Sequence, residues 1–330
     1  MDEKQQDEKL NVPASPEREN EPPMYELNEA NAALNGAEGG KGAPTSKNKR
    51  WQGVVYIVLS AFCFSLMSVF VRFAGELPTF QKTFFRNLVA ALVALVMLLK
   101  SRSFKLQKGS LPALIARSVA GTVGIVCNFY AIDHMHISDA SILNKLAPFF
   151  SVIFSAILLK EKAKPADWIL TAAAFCGALF VVKPSFDFSA SVPALLGVLG
   201  GLGAGLAYTF VHYLGGRGER TAMIVFFFSV FSCIAVLPAT IVQFQPMTFA
   251  QTVFLLLAGC AASGAQFSVT AAYKCAPAKD ISVYDYSQVL FAALWGMLFL
   301  SEFPDVWSVV GYVVIIGAAL IKYFVANKSK

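Results

Sequence analysis

Charge becomes scarce in this sequence once its first fifty residues are passed: 15% of the chain is charged against 56% apolar. The charges that remain fall mostly in short gaps between long apolar runs, a distribution that excludes an ordinary soluble domain. Histidine is rarer still, at three residues, His134, His136 and His212. With no HExxH spacing, no phosphate-binding glycine loop and no GxSxG, the chain lacks the nucleophile, base and metal-ligand pairings that a membrane-embedded transferase would need. The six cysteines (Cys63, Cys127, Cys176, Cys233, Cys260 and Cys275) form no CxxC or Cys/His spacing. They lie in or beside apolar segments and read as small buried hydrophobes. No cofactor, metal or nucleic acid is expected.

What the chain does have is apolar length. Runs such as 54–71, 88–99, 152–159 and 222–242 belong to segments that approach or exceed the roughly 20 residues needed to cross a hydrocarbon core. Backbone groups in lipid must be satisfied within the segment, so these runs read as helices rather than barrel strands. The expected fold is an all-α integral membrane protein with ten transmembrane helices, near 52–73, 79–99, 112–131, 139–159, 166–182, 193–213, 221–242, 250–273, 280–300 and 306–325. The stretch before the first span lacks the form of a cleavable signal. Rich in Glu, Asn, Pro and Gly, with Tyr25 as its one aromatic residue, it reads as a disordered cytoplasmic tail over 1–50. A scaffold acting through that tail would lose its function when 1–45 is deleted; a transporter would keep most of it.

An even number of spans puts both termini on one side. Alternate loops carry Lys47, Lys49 and Arg50, then Lys100, Arg102, Lys105 and Lys108, then Lys160, Lys162 and Lys164, then Arg217 and Arg220, then Lys274 and Lys279. The opposite loops hold little beyond Lys183, with Arg72 and Lys82 flanking the first turn. The basic side faces the cytoplasm, so both termini, including 326–330, are expected there, in a plasma membrane.

Sliding the chain on itself by 141 residues aligns Asp139 with Asp280, Ser141 with Ser282, Leu159 with Leu300 and Glu161 with Glu302. Nearby offsets set Thr79, Phe84 and Phe85 on Thr221, Phe226 and Phe227, and Gly53 on Gly197. The expected repeats are 51–184 and 192–325, five spans each. An odd count inverts the second copy in the membrane, an arrangement that lets two halves rock about a site near the midplane.

The residues Ala140, Leu143, Pro148, Leu158 and Glu161 along the fourth span, the weaker copy ending at Glu302, and "FFRNLVAALVALVMLL" around Arg86 in the second span carry a family resemblance. The chain from Gly53 to Phe324 resembles the drug/metabolite transporter superfamily, in particular its type with two EamA domains. The resemblance implies a ten-helix transporter of small metabolites. One departure stands out: Val289 occupies the position of Pro148 in the second copy, so the two halves are expected to bend differently.

Polar residues inside spans are costly and therefore informative. At about 100° per residue, Ser141, Asn144, Lys145, Pro148, Ser151 and Ser155 form one stripe on the fourth helix, matched on the ninth by Ser282, Asp285 and Tyr286. Pro148 removes a helical hydrogen bond beside Lys145, which makes it a candidate hinge in a cavity wall. Arg86, Asn128 and Tyr130 reach a similar level from the second and third spans. These residues are expected to bind the substrate: Lys145 and Arg86 against a carboxylate or phosphate, Asp285 against an ammonium or as a proton acceptor in ion coupling, and Asn144, Asn128, Tyr130 and Tyr286 setting orientation. Structural alternatives are a clamp between Arg86 and Glu76, and an Asp285 partnered by Lys274, Lys279 or a hydroxyl. An amino acid or related zwitterion or organic anion, moved by alternating access, fits the charge set. A cationic amine held among Tyr208, Tyr273, Tyr284, Tyr286, Phe291 and Trp295 is the alternative. The ridge Gly197, Gly201 and Gly205 is expected to pack helices closely, His212 to be a hydrogen-bonded structural residue, and Asp139 and Asp280 to cap their helices.

Overall fold

The computed structural model describes residues 46–102, 104–134, 142–182, 191–300 and 303–328. Its elements are all helices: α1 Ser46–Phe73, α2 Thr79–Lys100, α3 Leu111–His134, α4 Ala147–Leu158, α5 Pro165–Val182, α6 Ser191–Gly216, α7 Thr221–Val242, α8 Phe249–Cys275, α9 Ala278–Asp285, α10 Ser287–Leu300 and α11 Val306–Lys328. Eight of the described helices are long and apolar enough to cross a membrane. The others, α4, α9 and α10, lie in two stretches where the sequence pattern anticipates one unbroken span each.

Local chemistry sets several of the helix ends. Thr248 accepts from the Gln251 backbone at 3.3 Å while the Gln251 side chain accepts from the Thr248 N–H at 2.9 Å, a reciprocal cap that starts α8. Pro165 opens α5, where a missing N–H costs nothing, and Asp167 accepts from the Lys164 N–H at 2.8 Å.

The surface is apolar, and the interior sets polar side chains among apolar ones. Ile157, Ile169, Ile234, Ile241 and Leu298 are exposed, whereas Gln81, Asn87, Arg117, Ser151, Thr209 and Ser282 are buried. A water-soluble fold has the reverse arrangement, and lipid is the solvent that favours this one.

Helix pairings come in matching sets. α1 packs on α8 as α3 packs on α6, α2 meets α8 as α3 meets α7, and α1 touches α10 as α6 touches α4. Two further large contacts, α2 with α7 and α5 with α11, map onto themselves when the two halves are exchanged, whereas the packing of α6 on α8 has no comparable counterpart between α1 and α3 among the described residues.

Both interrupted stretches break at equivalent points. The first turns at Lys145 and Leu146, between a helical turn at 142–144 and α4; the second turns at Tyr286, 141 residues after Lys145. Each break carries a tightened i to i+3 bond, Leu146 N–H to the Leu143 carbonyl and Val289 N–H to the Tyr286 carbonyl. The expectation that a proline in one half only would make the halves bend differently is therefore corrected. Pro148 sits in the first turn of α4, where proline is tolerated, so it follows the break instead of forming it.

Glycines hold the first interrupted stretch in place. A Cβ on Gly201 would lie 2.7 Å from the Leu143 carbonyl oxygen, and one on Gly205 would lie 2.8 Å from the Ser151 nitrogen. The ridge on α6 thus packs as expected, and its neighbour is the broken helix. Gly53 does the equivalent on α1, where a Cβ would sit 2.9 Å from the Ala276 side chain at the entry to α9.

Candidate functional site

The two breaks meet. Tyr286 donates its hydroxyl to the Lys145 carbonyl at 3.0 Å, which satisfies backbone freed by the turn. Lys145 Nζ donates to Gln288 Oε1 at 2.6 Å and lies 4.0 Å from Asp285 Oδ2. Both charged side chains are largely enclosed, at 13% and 15% exposure, so each depends on the other for compensation. One turn further along, Ser151 Oγ is 3.3 Å from Ser282 Oγ and 3.5 Å from the Tyr273 hydroxyl. The polar stripes anticipated on the fourth and ninth spans therefore face each other.

Two arginines lie deeper in charge imbalance. Arg86 on α2 has a buried Nε with no hydrogen-bond partner, so the proposed clamp to Glu76 does not form at that atom. Arg117 on α3 is 2% exposed, and its Nε and Nη1 are buried and unpartnered. Its guanidinium lies over the Phe228 ring at 3.6 Å. Such a contact is worth about 2 kcal/mol when desolvated, whereas burying the charge costs several. Tyr208 stacks on Tyr273 at 4.9 Å, and the Tyr273 hydroxyl lies 3.5 Å from Ser151 at the crossing of the broken helices.

Other anticipated residues are distributed unevenly. Asn144 is half-buried beside the break. Asn128 faces α6, where Gly200 gives it room at 3.1 Å, and its Oδ1 is buried without a partner. Tyr130 is 40% exposed and stacks on His134 at 4.0 Å, outside this cluster. The rings considered for a cation cage are engaged with one another or with other groups: Tyr208 and Tyr273 stack face to face at 4.9 Å, and Trp295 donates to Ser65 at 2.9 Å. His136, Asp139, Ser141 and Glu302 lie outside the described residues.

Around this interior runs a set of paired charges. Arg50 meets Asp280 at 3.1 Å, and Lys322, itself 3% exposed, bonds Asp167 and approaches Asp280 at 3.8 Å. Asp280 is therefore an ion-pair partner in the first turn of α9, not its cap, which corrects the capping expectation; Pro277 holds the cap position without a side-chain bond. His212 is hydrogen-bonded on both sides, to Glu161 at 2.9 Å and to the Tyr273 carbonyl, in keeping with the structural role expected of it. Lys274 and Lys279 donate to the carbonyls of Glu219 and Lys162, so neither partners Asp285.

Sequence reasoning missed Arg117. The available signal was an arginine inside an apolar run with a glycine one helical turn later: a Cβ on Gly121 would lie 2.8 Å from Arg117 Nη1 and 2.9 Å from Phe228. Such a pairing leaves room for a buried guanidinium.

Comparison with known proteins gives this geometry a context. The chain is 34% identical over 270 residues to the pseudopaline exporter CntI of Pseudomonas aeruginosa, covering 81% of this chain and 94% of that protein. A member of solute carrier family 35 from Homo sapiens is 26% identical over 295 residues, covering 84% of this chain and 81% of that one. A solved crystal structure shares the fold with a TM-score of 0.75 at 15% identity, over 84% of this chain and 98% of its own. The EamA-like transporter family model matches twice, at residues 51–183 and 192–324. The chain belongs to the EamA-like transporter family, within the drug/metabolite transporter superfamily, and is a multi-pass membrane transporter of small molecules rather than an enzyme.

Proposed function

We propose that this transporter is a secondary carrier that moves a small polar metabolite, an amino acid or a related zwitterion or organic anion, by alternating access. Two inverted five-span repeats, 51–184 and 192–325, rock about the crossing of the fourth and ninth spans, with Pro148 beside the hinge. Both termini face the cytoplasm of a plasma membrane, and a proton or other ion drives the cycle. Lys145 and Arg86 take the substrate's acidic group, Asp285 its ammonium, and Asn144, Asn128 and Tyr286 its remaining polar atoms. A relative named as an exporter supports outward movement.

One observation carries this reading: Lys145 and Asp285 lie 4.0 Å apart where two broken helices cross, inside an otherwise apolar shell. A pair of opposite charges at that separation is suited to exchange its mutual contact for those of a zwitterion. The cationic-amine alternative is less well supported, because Tyr208 and Tyr273 present their faces to each other.

The test is a thermal-shift panel of zwitterionic, anionic and cationic metabolites on the purified protein, comparing wild type with Lys145→Ala and Asp285→Asn. Zwitterions or anions should stabilise the wild type, with the shift lost in Lys145→Ala. Stabilisation by cations alone, unchanged in both variants, would overturn the assignment.

A further inference from the structure

Three cationic side chains, Arg86, Arg117 and Lys145, lie inside the apolar stretches of the described helices, and Lys145 meets Asp285 at 4.0 Å. Lys145 and Asp285 compensate each other, which leaves two guanidinium groups whose charge no neighbouring carboxylate offsets among the described residues. Arg117 is held in a built setting. Phe228 forms a plate beneath it at 3.6 Å, Gly121 leaves the space its Nη1 occupies, and its Nε and Nη1 have no acceptor. Arg86 contributes a further buried and unpartnered Nε. The two arginines sit on helices that both pack against α7, which carries Phe228.

We infer that Arg86 and Arg117 form an anion pocket in the transport path, and that the cargo carries at least two acidic groups, with its more acidic end on the arginines. Guanidinium forks match the planar geometry of carboxylates and the oxygens of phosphate, and two excess positive charges call for two negative ones. Asp285 and Lys145 remain for an ammonium and a second acidic group. This rests on the transporter reading above and narrows its substrate class from zwitterions in general to those with net negative charge.

The experiment uses the purified full chain in detergent with five probes: succinate, glutamate, glutamine, inorganic phosphate and choline. Variants are Arg117→Met, Arg117→Lys and Arg86→Met. Succinate and glutamate should raise the melting temperature of the wild type, glutamine much less, and choline not at all. Arg117→Met should melt at or above the unliganded wild type, because it removes an uncompensated buried charge, while its affinity for the dicarboxylates falls about tenfold or more. Arg117→Lys, which keeps the charge without the fork, should fall between. An Arg117-dependent shift with phosphate alone would sustain the pocket and assign it to a phosphate-bearing cargo. If glutamine and glutamate act alike and Arg117→Met changes neither, the anion pocket is wrong and the zwitterion transporter stands. A response to choline alone removes both readings. If no anion shifts the wild type, or if Arg117→Met and Arg86→Met both melt well below it unliganded, the arginines are structural and the inference fails.

Discussion

Two sets of charged side chains inside this fold follow different rules. Arg50, Asp167, Asp280 and Lys322 are paired with one another across α1, α5, α9 and α11, and His212 is tied to Glu161 and a backbone carbonyl. Arg117 is as deeply enclosed as Lys322 and Arg86 is half-buried, yet both hold buried nitrogens with no acceptor. A buried ion with a partner contributes to holding helices together; a buried ion without one is a standing cost that folding alone does not explain. Between the two sets stand Lys145 and Asp285, paired at 4.0 Å, with Lys145 also donating to Gln288. In the proposed transport cycle the first set is a latch, the second takes the ligand, and the pair at the crossing does either in turn.

Breaking the latch should have the largest effect on stability. Lys322→Met leaves the largely enclosed Asp167 without its cation, while Asp280 keeps Arg50, and should cost about 3 kcal/mol, read as a large fall in melting temperature in detergent. The crossing pair comes next. Lys145→Met leaves Asp285 enclosed without its cation and should cost roughly 1–2 kcal/mol, much of it recovered when Asp285→Asn is added; a double-mutant cycle in which the two losses simply add would show that the pair is not coupled. Arg50→Ala comes last. Its pair with Asp280 is 30% and 22% exposed, so the change should stay below about 1 kcal/mol and shrink further in high salt.

How much of this was legible beforehand follows from the range of the forces involved. Eight of the spans, the polar stripes and the equivalence of Lys145 with Tyr286 could be read because they depend on local pattern and on a constant offset. Gly197, Gly201 and Gly205 were legible as a ridge for the same reason, since their spacing alone puts them on one helix face. The second break was not, because no proline marks it; its freed neighbour is satisfied by Tyr286 reaching the Lys145 carbonyl across 141 positions. Asp280 was misread as a cap because its partners, Arg50 and Lys322, are remote in sequence. Arg117 was overlooked because its environment is made by Phe228 on another helix. The neighbour that makes room for it, Gly121, looked like one more small residue in a membrane helix.

The most direct measurement compares the melting temperatures of Arg86→Met and Lys322→Met with that of the wild type, all purified without added solute. The account expects Lys322→Met to melt well below the wild type and Arg86→Met to melt at or above it, because the first removes a partner and the second removes an unmet demand. If Arg86→Met falls as far as Lys322→Met, Arg86 is part of the scaffold, and the distinction between latch and ligand site is contradicted.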